Sequence, residues 1–83
     1  MIITGRVMQE APAHSFEFTL ELSDTFGKAL MVAAPEAYLD VPEGTIRIAV
    51  VNPVHQMNGL YRITTDTKLF STLPKGTEVS ITV

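Results

Sequence analysis

Neither cysteine nor tryptophan occurs in the 83 residues. Without cysteine there is no disulfide framework and no thiolate metal site. An excess of charge of one sign is also missing. Six basic and nine acidic residues give a formal charge of −3, scattered without an acidic tail or a basic arm. A chain balanced in this way exerts no long-range pull on phosphates or anionic lipid. Nucleic acid is therefore disfavoured as a partner by the acidic charge, and no membrane partner is expected. The longest apolar runs, ALMVAA and IAVV, are too short to cross a bilayer. The first ten residues, MIITGRVMQE, lack the basic stretch followed by an apolar one that marks a secretory signal, so the default expectation is a cytoplasmic location.

Chemical motifs are equally scarce. No GxGxxG, P-loop or GxSxG pattern is present, so no bound nucleotide and no serine nucleophile has a motif behind it. Two histidines, His14 and His55, do not supply the three or four convergent ligands that zinc requires. Glu17 and Glu21 fall on one face of an extended segment, too far apart to share a proton. No catalytic residue, cofactor or metal is nominated; whether the domain is an enzyme stays open, with a non-catalytic module favoured.

What is present is strand patterning. With 46% hydrophobic residues, residues 1–83 can form a core in one small domain. Phe16, Phe18, Leu20 and Leu22 alternate with Ser15, Glu17, Thr19 and Glu21, which puts the first set on a core and the second in water. Further strands are expected over 2–8, 45–51, 61–65 and 77–83, from runs of β-branched residues. In 45–51, Ile46, Ile48 and Val50 share one face, and the opposite face, with Ala49 and Val51, is only partly polar. Residues 23–27 (SDTFG) read as a turn leading into a strand over 28–33. A single helical turn is expected at 35–39, where Pro35 stands early enough for its missing N–H to cost nothing. The fold class is all-β: a small antiparallel barrel or compact β-sandwich of about six strands, with at most one short helical turn.

Two turn segments resemble each other, VPEGT at 41–45 and LPKGT at 73–77. Proline presets φ early in such a turn and glycine suits its end. Extending the alignment puts Tyr38 on Phe70. It also puts the inward residues of the two following strands out of phase, so two separate uses of one turn are favoured over a duplication.

The most functional-looking segment is NPVHQMNGLY at 52–61. Asn58-Gly59 is a strong hairpin signal, because both residues tolerate the positive φ of a type I′ turn. Pairing about that turn places His55 opposite Arg62 and Gln56 opposite Tyr61. His55, Tyr61, Arg62, Arg47 and Arg6 are the candidate interaction surface, with a basic face arising if the three arginines meet across adjacent strands. The function expected is a protein-interaction or structural module that assembles with itself, as a dimer, or with another protein. The alternatives are a small β-barrel that binds single-stranded nucleic acid through aromatics and a basic groove, and a domain that binds a sugar or small ligand. The argument for a dimer is that small domains bury a low fraction of their surface and that exposed strand edges invite pairing.

Overall fold

A computed structural model describes residues 1–34 and 36–83. Six strands and one helix follow one another: β1 (Ile2–Val7), β2 (Glu17–Glu21), α1 (Asp24–Ala33), β3 (Tyr38–Val41), β4 (Gly44–Pro53), β5 (Leu60–Thr65) and β6 (Glu78–Thr82). The strands close into an antiparallel barrel in the order β1-β2-β5-β4-β3-β6. Of the two architectures open from the sequence, the barrel is the one formed.

Alternation builds the core. Ile3 and Val7 of β1, Phe18 and Leu20 of β2, Ile46 and Ile48 of β4, Ile63 of β5 and Val79 and Ile81 of β6 point inward. Gly5 continues the inward row of β1, and a Cβ there would lie 2.5 Å from Leu22 Cδ2, so the glycine makes room for that side chain. The alternation of β4 breaks once. Ile48 pairs with Thr65 and Val50 with Thr64, so Ala49 is the extra residue of a β-bulge. The bulge exchanges the faces beyond it: Val51 turns inward at 7% exposure, and Val50, expected inside, is 46% exposed.

Phe16 also departs from expectation, being 44% exposed where Phe18 is 5%. The strand begins only at Glu17, so Phe16 lies just outside β2, where the inward alternation no longer holds its side chain in the core. Glu17 and Glu21 are exposed, as the alternation requires.

The stretch expected as turn and strand over 23–33 is a helix. The Ser23 side chain caps it by accepting from the Phe26 N–H at 3.2 Å, and Asp24 lies in the first turn. Gly27 and Leu30 share its buried face. The helix joins the end of β2 to the start of β3, strands on opposite sides of the barrel, so it crosses and covers that end. The helical turn expected at 35–39 does not form over its later residues, since Tyr38–Val41 is strand β3. Pro35, its first residue, lies outside the described residues.

The opposite end is covered by loops. Ala11 and Leu73 exchange backbone hydrogen bonds of 2.9 and 2.8 Å, and the Ala13 N–H donates to Thr72 Oγ1 at 3.1 Å. Ala11, Leu69 and Leu73 are buried beneath. The Thr65 hydroxyl donates to the Thr67 carbonyl at 2.7 Å and lies 3.2 Å from the Phe16 carbonyl, fixing the start of the second loop.

Candidate functional site

The NPVHQMNGLY segment is a loop between β4 and β5, but not with the expected pairing. Asn52 faces Arg62 and Pro53 faces Tyr61, and the Val54 N–H donates to the Leu60 carbonyl at 2.9 Å. The connection is therefore residues 55–59. Gly59 has φ +82, whereas His14 is the only non-glycine with positive φ among the described residues. Asn58 thus lacks the conformation that a type I′ turn demands. His55 stands in the loop rather than opposite Arg62, although both border one shallow depression.

The candidate aromatic of this region is inside. Tyr61 is 5% exposed, covered by α1, with its hydroxyl donating to Asp24 Oδ1 at 3.4 Å. Burial raises its pKa, and the Asp24 charge and hydrogen bond add to the rise. No base can stack on this ring.

The three arginines do not form a basic face. Arg6 on β1 stands between Glu21 of β2 and Glu78 of β6. Arg62 on β5 pairs with Glu17, Nε to Oε1 at 3.3 Å, with both side chains a little over half exposed. Arg47 on β4 lies beside Tyr38 of β3, and β4 is separated from β1 by two strands on either side of the barrel. Carboxylates interleave the first two, so the outer wall there is of mixed charge.

A groove of about 230 Å³ at the loop end was not foreseen. Its walls are residues 40–43, at the end of β3 and its turn into β4, residues 69–74 of the loop, and residues 77–79 at the start of β6. The lining is mainly apolar, including Val41, Pro42, Leu69, Phe70, Pro74 and Val79. Phe70 is 65% exposed, a large ring in water beside an apolar trough. Asp40, Glu43 and Glu78 add carboxylates. Asp40 Oδ2 accepts from the Thr82 hydroxyl at 3.1 Å, and the Ser71 hydroxyl donates to Glu43 Oε1, tying the loop to the β3–β4 turn. Lys68 and Lys75 lie in the adjoining loop segments but do not line the groove.

The sequence did hold a pointer to this place. The two similar turn segments, VPEGT and LPKGT, supply opposite walls of the groove. They serve different ends there: Val41 pairs with Gly44 across a tight hairpin, whereas Gly76, with φ +89, donates its N–H to the Val7 carbonyl at 2.7 Å and leads into β6.

Among the described residues, no group of three or more His, Cys, Asp or Glu side chains is placed to hold a metal. Comparison with protein-family models, with curated proteins and with solved structures finds no match. The chain is a small β-barrel, and its candidate site stands on its own geometry.

Proposed function

We propose that this barrel is a protein-interaction module that engages another protein through the groove at its loop end. The observation that carries the reading is the pairing of a mostly apolar trough with Phe70, a residue 65% exposed at the edge of that trough. Aromatic anchors beside apolar pockets are where binding energy concentrates in protein interfaces. The mixed charge around Arg6 and Arg62, and the burial of Tyr61, favour this surface over a nucleic-acid face.

Selection of random displayed peptides against the folded domain tests the proposal. Enriched peptides are expected to lose binding to Phe70→Ala and to keep it with Arg62→Ala. Failure to enrich any peptide would count against the reading. Peptides indifferent to Phe70 would do the same, as would a single-stranded oligonucleotide that binds more tightly than any peptide and depends on Arg6 and Arg62.

A further inference from the structure

We infer that the groove takes a short extended peptide segment in which apolar and cationic side chains adjoin, laid along the start of β6. The inference rests on the groove being the working surface and specifies the chemistry of what fills it.

The first support is an unfinished ladder. β3 and β6 pair through Tyr38 with Thr82, Leu39 with Ile81 and Asp40 with Ser80. Two residues further out, the same register brings Pro42 opposite Glu78. Proline has no N–H to offer a ladder, and the chain has already turned into β4, with Val41 paired to Gly44. On its other side β6 meets β1, and the Val7 N–H donates to the Thr77 carbonyl at 2.9 Å. Main-chain groups of an antiparallel strand point alternately to its two neighbours. The Thr77 carbonyl faces β1 while Ser80 and Thr82 pair with β3, so Glu78, in step with them, directs its N–H and carbonyl toward the groove, where β3 supplies no strand to receive them. An extended segment completes such a ladder by strand addition.

Charge is the second support. Asp40 and Glu43 each spend one carboxylate oxygen on a hydroxyl, leaving the other free. Among the described residues none of Asp40, Glu43 and Glu78 makes an ion pair. Asp40 and Glu43, with Glu78 shared between the groove and Arg6 on its other side, complement a lysine or arginine whose neighbours are apolar, and they repel an acidic segment. Val41, Phe70 and Val79 provide the apolar contact.

The probe is a fluorescein-labelled peptide, Gly-Val-Lys-Val-Lys-Gly, acetylated and amidated at its ends, titrated with the whole domain and followed by anisotropy. Two companions are a version with Glu for Lys and a version N-methylated at the central Val. The Lys peptide is expected to bind, to weaken between low salt and about 300 mM salt, and to lose about tenfold in affinity with the double variant Glu43→Gln and Glu78→Gln. N-methylation is expected to weaken it similarly. Equal binding of the Glu peptide, an undiminished N-methylated peptide, or no binding of the Lys peptide would overturn the inference. Phe70→Ala is read separately: a neutral or acidic peptide that depends on Phe70 leaves the groove as the working surface while removing this account of its ligand. Protein that self-associates without peptide and becomes monomeric in Phe70→Ala has a second copy in the groove, which also overturns the inference.

Discussion

Gly27 sits inside a helix because the Tyr61 ring occupies the space a side chain would need. A Cβ at that position would lie 2.0 Å from Tyr61 Cζ. Two effects of opposite sign therefore meet in Gly27→Ala. Alanine is better than glycine in a helix by about 1 kcal/mol, whereas forcing extra volume into a packed site costs about 1–3 kcal/mol. The contact is with a buried ring held between helix and barrel, so the steric cost wins and urea unfolding should show a loss of stability. In a Tyr61→Ala background the obstacle is gone, and the same Gly27→Ala change should become stabilising. If it destabilises both backgrounds equally, the ring is not the reason for the glycine.

Tyr61 also gives a pH dependence of definite sign. Its pKa is raised in the folded state, first by burial and then by Asp24. The neutral form is thus favoured by folding, and its contribution is fully present below the unfolded value of about 10. Stability is lost as pH rises from there through the higher folded value, because the unfolded chain releases the proton first. Thermal melts of the wild type should fall more steeply above about pH 10 than those of Tyr61→Phe. Parallel curves for the two proteins would remove Tyr61 from the alkaline transition.

The two phenylalanines of the β2 region separate core from rim. Phe18, at 5% exposure, should cost about 3–5 kcal/mol when cut to alanine. Phe16, at 44%, should cost far less despite its identical chemistry. Their denaturant midpoints, compared at equal m-value, measure the difference.

Among the elements, α1 is held by a cap at one end and by one buried face along its length. Ser23→Ala removes the acceptor for the Phe26 N–H and should cost about 1 kcal/mol. Circular dichroism with urea unfolding checks this, and no measurable change would mean that packing alone sets where the helix starts. The same segment shows why sequence reading failed here. Ser23, Asp24 and Gly27 are all turn formers, and only the ring of Tyr61, far along the chain, makes glycine fit a helix. The following ALMV run could serve either a strand or a helix buried on one face. Where alternation acts alone, β1, β2, β5 and β6 were legible as strands, and Phe18, Leu20 and Leu22 as inward residues; the burial of Tyr61 and the exposure of Phe16 were not. The bulge at Ala49 was not, since a single extra residue leaves no local mark beyond a strand whose two faces both look half apolar.

For the whole molecule, closure changes the case for self-association. All six strands have two neighbours, and Val51 points inward, so the strand-edge and second-face reasons for a dimer lose much of their force. Of the candidate site, the five residues chosen from the sequence are scattered over the barrel wall, its interior and the β4–β5 loop. Charge and aromaticity were visible in them, but the facing of each depended on register, and register depended on the bulge and on a five-residue loop. The groove arises instead from two distant proline turns brought together by the pairing of β3 with β6. The short alikeness of VPEGT and LPKGT marked both turns without showing that they would meet.

The most direct test of the groove as working surface is an amide chemical-shift map of the ¹⁵N-labelled domain titrated with a peptide selected against it. The shifts are expected to cluster on residues 41, 43, 69–73 and 77–79, with residues 55–59 and the helix undisturbed. Shifts centred instead on Arg6, Arg62 and their carboxylate neighbours, or spread over the helix end, would contradict the account.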